Sequence, residues 1–483
     1  MHHFIFNKYN YLLHRKRWSD SKVFKGQYGR LREGRRQQGG RSKLAACLLI
    51  LTFVTSSTLA QEKSPVPLKD IQTGNAATLP APRQVSATQT RRSITVSDAV
   101  SIFLQQNLQL VAARYDVDTA EAEKLSARLR PNPEITIGSS GLPINFGGPF
   151  LGQQTFAYNI SQDLELGGKR KKRIDVANAN TEVARAQFQT VVWQMTNDVK
   201  KKFYAVLLAE SLLDLAKENE KTFADIVDRT TQVFKSGEIS GLDLQRLEIE
   251  KFKFDTDLAN SERDYELALR DLRLALGGDY RTMDIEPAGS MAYYQSFDFS
   301  FADMRDKALA ARPDLKAVQL AEQAADANIR LQNAQKIPDL TVTAGINQAP
   351  LGTSNYNYGI GITLPTSDRN QTERALALIE KKRDQNQEQI VTNQILSDVD
   401  KALFAFNIQK RRVELYRTGV LTKVNDIQTS TEYALKIGES STLELLDAIR
   451  TRRDTLAGFY QTVFDYYSSL LDLELATATP ILK

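Results

Sequence analysis

The strongest constraint on the fold of this chain is that it carries one pattern twice. Asp98 aligns with Asp303, Leu110 with Leu315 and Pro133 with Pro338, all at an offset of 205. The offset falls to 200 in the next segment (Tyr158 with Tyr358, Leu164 with Leu364), because one loop is longer in the first copy. It is 201 at two glycine breaks, Lys235-Ser236-Gly237-Glu238 and Lys436-Ile437-Gly438-Glu439. Register kept through this much chain means two tandem copies of one supersecondary unit.

The unit reads as helix, two-strand hairpin, long helix, tip turn, helix. In the first copy Thr95-Val96-Ser97-Asp98 is a capping box that opens a helix. That helix runs to about Arg130, where Pro131 and Pro133 end it. Ile135 and Ile137 then alternate with Thr136 and Gly138 as a strand. A Gly/Pro loop through Asn145-Phe146-Gly147-Gly148-Pro149 leads to a second strand, where Phe156, Tyr158, Ile160 and Leu164 face away from Ala157, Asn159, Ser161 and Asp163. Gly167-Gly168 return the chain to helix. From Lys169 to Ser236 there is no Gly or Pro, enough for one helix of roughly 100 Å. Phe188, Val192, Met195, Val199, Phe203 and Val206 give it a coiled-coil seam. A second helix spans Leu242 to Leu276 and stops at Gly277-Gly278. The second copy opens with a capping box at Ser300 to Asp303. Its strands follow Pro338, and its long helix starts near Arg369 with Val399, Leu403, Phe406 and Val413 on one seam. Its last helix ends near Ala476. The implied organisation is a leader and signal over 1–60, a disordered linker over 61–93, repeats over 94–279 and 300–478, a connector over 280–299 and a tail over 479–483.

The whole chain carries a net +5, but residues 1–43 hold 12 Lys/Arg against two Asp/Glu, so the remainder is at −5. The basic pI therefore belongs to the leader, and a nucleic-acid partner is excluded. After the leader come an apolar run, Leu44 to Val54, and a small-residue exit at Thr58-Leu59-Ala60, the pattern of a secretory signal. The basic region is long for a signal; an internal start at Val23 or Leu31 would shorten it. All three histidines (His2, His3, His14) and the single Cys47 lie at or before the signal core. The exported chain then has no disulfide, no imidazole or thiolate metal site, and no Ser-His or Cys-His catalysis, so no cofactor and no enzyme activity is expected. Leu44-Ala45-Ala46-Cys47 matches a lipobox, but the apolar core follows the cysteine instead of preceding it, which argues against lipidation.

No segment after the signal reads as a transmembrane helix. A lone hairpin cannot sit in a bilayer with unpaired edges, and four strands are too few to close a barrel. Two solutions remain: a soluble antiparallel sheet packed on a helix, or strands pooled by several chains. Three chains would supply twelve strands. Apolar outer faces and small inner residues (Ala157, Ser161, Gly359, Gly361) favour pooling.

At these residues the chain resembles the TolC-like outer-membrane efflux channels, or outer membrane factors, over about residues 94–478. The marks are a proline before each first strand (Pro133, Pro338), the tandem repeat and the paired tip turns at Gly237 and Gly438. Pro131-Asn132-Pro133-Glu134, Asn145-Phe146-Gly147-Gly148 and Leu164-Glu165-Leu166-Gly167-Gly168-Lys169-Arg170 with Arg173 are similar to the CzcC-like branch, which serves heavy-metal efflux pumps of the resistance-nodulation-division type. The resemblance implies a mostly α fold with a membrane β-barrel. It implies a homotrimer whose twelve-strand barrel, four strands per chain, continues into a long α-helical coiled-coil barrel across the periplasm. The implied function is a passive export conduit for heavy-metal cations, or alternatively for drugs and other solutes or in type I secretion. The implied partners are outer-membrane lipid, a periplasmic adaptor and an inner-membrane pump. A pore-free periplasmic coiled-coil scaffold is the competing class; it would be soluble without detergent.

In the resembled family the tips dock the adaptor, which maps here to Lys235, Ser236, Gly237, Lys436, Ile437 and Gly438. The same glycines would serve equally to close a helix pair. Acidic residues just past the tips narrow the family's aperture; the matching positions are Asp243, Glu444 and Asp447. Repeated by threefold symmetry they would make carboxylate rings that favour cations. Ordinary i,i+3 pairs, Asp243 with Arg246 and Asp447 with Arg450, are the competing expectation. Pro131, Pro133, Pro338, Gly167 and Gly168 mark the helix–strand junctions. Lys169 to Arg173, the densest charge run of the exported chain, reads as a solvated helix start or as contact with anionic groups at the membrane boundary.

Overall fold

The computed structural model describes residues 92–141, 154–237, 239–278, 283–291, 294–349 and 352–482. The leader with Cys47, the linker as far as residue 91, the Asn145–Pro149 loop and Glu238 lie outside the described residues. Strand β1 (Arg92–Ile94) leads into α1 (Val96–Gln106) and α2 (Leu108–Arg128). The hairpin β2 (Glu134–Ser140) and β3 (Thr155–Leu164) follows, then α3 (Lys169–Lys235), α4 (Gly241–Leu276) and β4 (Ile285–Pro287). The second copy is α5 (Phe301–Ala311), α6 (Pro313–Gln335), β5 (Leu340–Gln348), β6 (Ser354–Ile362), α7 (Gln371–Leu415), α8 (Leu421–Lys436) and α9 (Thr442–Thr477).

α3 is one helix of 67 residues, the length expected from its Gly- and Pro-free sequence. Four helical details differ from the sequence reading. The helix expected over 95–130 is two, α1 and α2, joined at Asn107. Asn107 is extended (φ −71°, ψ 119°), and its Oδ1 caps α2 by accepting from the Leu110 N–H at 3.0 Å. The second copy bends at the equivalent Arg312. The capping box at Thr95–Asp98 is present, but Ser300 makes no side-chain cap bond. The second long helix is interrupted at Tyr416–Val420, where Gly419 has φ 115° and the helical ladder slips by one residue. The connector contains β4, which pairs in parallel with β1; Ile94 and Ile285 are buried in it.

The two elbows keep one contact by different chemistry. Asn107 Nδ2 donates to Ala275 O at 2.8 Å, and Arg312 Nη1 donates to the repeat-equivalent Ala476 O at 3.4 Å. Arg312 is further held by Asp314 and Asp398, at 2.5 and 3.2 Å. Both elbows lie against the main core, which runs along the α3, α7 and α9 seams. Val199, Phe203 and Val206 of α3 meet Val399, Phe406 and Val413 of α7 there, with Phe188, Val192 and Met195 half-buried at its edge. Buried Glu474 of α9 takes Lys200 of α3 as its ion partner. It also accepts the Ile481 and Leu482 N–H groups at 3.1 and 3.2 Å, so the carboxylate is fully satisfied and the tail is folded back.

The four long strands make one antiparallel sheet in the order β2-β3-β5-β6. Register places Ile137, Tyr158 and Ile346 on one face with Tyr356, and Ile135, Ile160, Ala344 and Tyr358 in the next row. The opposite face carries Thr136, Asn159, Gly345 and Asn357 in a single row. A Cβ on Gly345 would fall 2.1 Å from Asn159 Oδ1, so glycine there leaves room for Asn357 to donate across to Asn159 at 2.8 Å. Among the described residues no helix packs across this sheet. Its apolar face is bare: Tyr356 is 84% and Tyr358 91% exposed. The soluble sheet backed by a helix is therefore not what forms. No described helix is long and apolar enough to cross a membrane.

Far from the sheet, the two helical hairpins are held to each other by a small cluster. Phe223 and Val227 of α3, Leu247 and Phe254 of α4, and Leu445, Leu446 and Ile449 of α9 form it. Three arginines of α9 surround it. Arg450 reaches Glu250 of α4, Arg452 reaches Glu218 of α3 at 3.0 Å, and Arg453 reaches Asp257 of α4 at 2.8 Å. Arg453 also lies over the Phe254 ring, 5.6 Å from its centroid. Burial alone would raise the Glu250 carboxyl; the Arg450 and Lys253 cations outweigh it and hold it below the usual range.

Two outcomes follow from this packing. Gly277 (φ 84°) sits with its would-be Cβ 2.6 Å from Asn107 Cα, so Gly277→Ala meets both strained φ and rigid backbone. It should cost about 3 kcal/mol or more, against about 1 kcal/mol for Gly438→Ala, whose Cβ would meet nothing within 4 Å. Thermal melts of the two variants should differ by several degrees in that order. Arg453→Ala should loosen α4 from α9 by about 1–2 kcal/mol, read as at least fivefold faster amide exchange around Phe254. Arg453→Lys should recover only part of this, since it keeps the charge and loses the stacked plane.

Candidate functional site

The features that could serve transport lie at two ends of each helical hairpin. At the far ends are the tip turns. Ser236 closes α3, and Gly237 (φ 83°) turns the chain, donating to Phe234 O at 2.9 Å. Ser240 Oγ then caps α4 by accepting the Leu242 N–H at 3.2 Å. In the second copy Ile437 donates to Tyr433 O and Gly438 (φ 79°) to Leu435 O, both at 3.2 Å, before Ser441 caps α9. A left-handed φ is what requires glycine at both turns. Nothing lies within 4 Å of either would-be Cβ, so the backbone there is open to approach. Exposed Phe234 and Leu242 flank the first turn, and exposed Ile437 and Leu443 the second. Lys235 and Lys436 are exposed beside them.

The three acidic candidates are not equivalent. Glu444 is committed to its own helix: its carboxylate accepts from Ser440 Oγ at 2.5 Å and from the Ser441 N–H at 3.0 Å, closing a capping box. Those two bonds hold its pKa below the usual glutamate range. Asp243 is paired with Arg246 at 3.6 Å, as expected, on an exposed surface where such a pair contributes little. The expected Asp447–Arg450 pair does not form, because Arg450 turns to Glu250. Asp447 is exposed, and among the described residues no cation lies within ion-pair reach of it. Of the three it is the carboxylate left open to solvent. No cluster of metal-ligating side chains occurs among the described residues.

At the near ends, helix meets strand. Pro131 and Pro133 fill the gap between α2 and β2, and Pro131 O accepts from Gln162 Nε2 of β3 at 2.9 Å. Pro338 fills the equivalent gap before β5. Gly167 and Gly168 both have left-handed φ (68° and 67°), and a Cβ on Gly167 would fall 2.7 Å from Ile337 Cδ1. In the second copy Asn370 (φ 59°) takes the place of Gly168, being one of the few residues that tolerate this region. Much of the basic run is spent inside the junction. Lys169 pairs with Asp339 of the other copy at 2.8 Å. Arg173 forks onto Glu165 at 2.6 Å and donates to Leu129 O at 3.0 Å. Asp339 also accepts the Leu166 N–H at 3.0 Å, so it ties the two hairpins together. Neither the role of Asp339 nor the arginine triplet of α9 is visible in the sequence, since each depends on a partner roughly 170 to 235 residues away.

Comparison with known proteins agrees with this architecture. CzcC of Cupriavidus metallidurans, a cobalt-zinc-cadmium resistance protein, is 25% identical over 362 residues, covering 74% of this chain and 84% of its own. CusC of Escherichia coli O157:H7, a cation efflux system protein, is 23% identical over 401 residues, covering 79% and 85%. Among solved structures, the CmeC outer membrane channel of Campylobacter jejuni superimposes with a TM-score of 0.67 at 16% identity, covering 79% of this chain and 85% of that one. The family model described as outer membrane efflux protein matches residues 99–278 and 304–478, the two copies of the repeat, and the chain belongs to that family.

Proposed function

We propose that three copies of this chain assemble into one outer-membrane conduit that exports heavy-metal cations, as the channel component of a tripartite pump. The observation that carries this reading is the sheet: four strands with one bare apolar face, small and polar residues on the other, and both edges unpaired. Pairing β2 of one copy with β6 of the next would remove every edge and make twelve strands around a lumen lined by residues such as Ala157, Ser161, Gly359 and Gly361. The α3–α4 and α8–α9 hairpins would extend the wall into the periplasm. The open backbone and exposed apolar residues at Gly237 and Gly438 support these tips as the docking points of a periplasmic adaptor, which in turn engages an inner-membrane pump of the resistance-nodulation-division type. Heavy-metal cargo is supported by the names of the relatives and is chosen by the pump. The conduit's own contribution would be a carboxylate ring, to which Asp447 is the best placed contributor and Asp243 and Glu444 lesser ones.

The test is in two parts. Loss of this protein from its bacterium should raise sensitivity to cobalt, zinc or cadmium; unchanged tolerance to all three would overturn the metal cargo. In planar bilayers under a salt gradient, the purified protein should conduct with a cation-favouring reversal potential. Asp447→Asn should move that potential toward zero by more than Asp243→Asn does. Equal potentials for wild type and Asp447→Asn would remove the ring.

A further inference from the structure

The junction between α2, β2, β3 and α3 carries more cations than it uses. Residues 128–134 and 163–173 hold seven Lys/Arg against three Asp/Glu, and Asp339 adds a fourth carboxylate from the other copy. Lys169 is spent on Asp339 and Arg173 on Glu165; Lys172 Nζ donates to Gly167 O at 2.8 Å and Arg170 Nε to Arg128 O at 2.7 Å. The Arg170 bond, with Arg173 to Leu129 O, fastens the start of α3 to the end of α2. Three cations remain exposed, Arg128, Arg130 and Lys171, with no carboxylate in ion-pair reach among the described residues. Exposed Leu129 and Leu166 lie in the same junction. An open groove of about 520 Å³ runs beside them, lined in part by Leu129, Arg130, Pro131, Glu165 and Arg173.

We propose that Arg128, Arg130 and Lys171 bind the anionic headgroups of phospholipids in the periplasmic leaflet of the membrane that the sheet occupies. This rests on the reading of the sheet as part of a membrane barrel. The bare apolar face ends at Ile135 and Leu164, and these cations follow within a few residues on each chain segment, at the depth where hydrocarbon gives way to headgroups. A free phosphate would satisfy the charges but leave Leu129 and Leu166 in water. A phospholipid satisfies the charges and covers the leucines with its glycerol and first methylenes, so the lipid is the occupant that the surface fits. The second copy is an internal control. At the offsets of these segments its equivalent positions are Asn333, Gln335 and Gln371, all neutral, and residues 333–339 and 363–373 hold two cations, Lys336 and Arg369, against three carboxylates.

The experiment transplants the neutral residues of the second copy into the first, as R128N/R130Q/K171Q. Lipid retention by the full-length assembly is measured by native mass spectrometry with phosphatidylglycerol and with phosphatidylcholine. Wild type should retain phosphatidylglycerol preferentially. Each lost cation should weaken that affinity about fivefold, on the order of 100-fold for all three, with phosphatidylcholine unaffected. K171Q alone, an exposed change on a helix surface, should lose about fivefold and covers the case in which the triple variant does not assemble. Equal retention of the two lipids by wild type, or undiminished phosphatidylglycerol retention by the variants, overturns the proposal. Conductance in pure phosphatidylcholine bilayers separates this from the underlying reading. A conducting protein without lipid preference overturns the headgroup site alone, whereas a protein that never conducts overturns the barrel as well.

Discussion

A free strand edge exposes a row of unpaired N–H and C=O groups, and hydrocarbon offers no water to satisfy them. The rest of this structure depends on how that constraint is met. β2 and β6 are the two edges of an open four-stranded sheet whose apolar face has no protein cover. In water, rows of bare tyrosine and isoleucine would aggregate; in lipid they are at home, but the edges are not. Only closure satisfies face and edges together, and one chain has too few strands to close. In the proposed assembly, the oligomer is thus demanded by the backbone as much as by side chains.

The repeat supplies the geometry, and the places where its copies diverge supply individuality. Asn107 and Arg312 make the same elbow bond to Ala275 and Ala476, one with an amide and one with a guanidinium held by two aspartates. Gly168 and Asn370 take the same left-handed turn into the long helices. The copies differ most where solvent or membrane is reached. The junction of the first copy is strongly basic, whereas that of the second holds two cations, Lys336 and Arg369, against three carboxylates. The 67-residue α3 is unbroken, while its counterpart slips at Gly419. Acids past the tips also differ, Glu444 being a cap and Asp243 a surface pair.

Local signals made much of this legible in the sequence. Alternation over Thr155–Leu164 and Ser354–Ile362 gave the strands, and freedom from Gly and Pro gave α3. Paired Gly237 and Gly438 gave the tips. What stayed hidden depends on distant partners or on marginal local energetics. Asn107 reads as an ordinary polar helix residue until Ala275 and Gly277 are packed against it. Gly419 alone in a polar helix is a weak signal, since an isolated glycine costs a helix only about 1 kcal/mol. Arg450 was expected three residues along its own helix, at Asp447; it goes to Glu250 because that carboxylate is half-sheltered between helices, where the pairing is stronger. Of the three acidic candidates, spacing alone could not separate the capping Glu444 from the open Asp447.

The central claim is that β2 of one chain pairs with β6 of another, and disulfide trapping tests it directly. The chain's single native cysteine is Cys47, so with Cys47 replaced by Ser, cysteines placed at Thr136 on β2 and Asn357 on β6 report edge contact. With Thr136→Cys and Asn357→Cys combined, or with Asn357 replaced by a flanking β6 position to match register, oxidation should give a ladder of linked chains that ends at three. Cross-links confined within single chains, or no links at any β6 position, would contradict closure of the barrel by three copies.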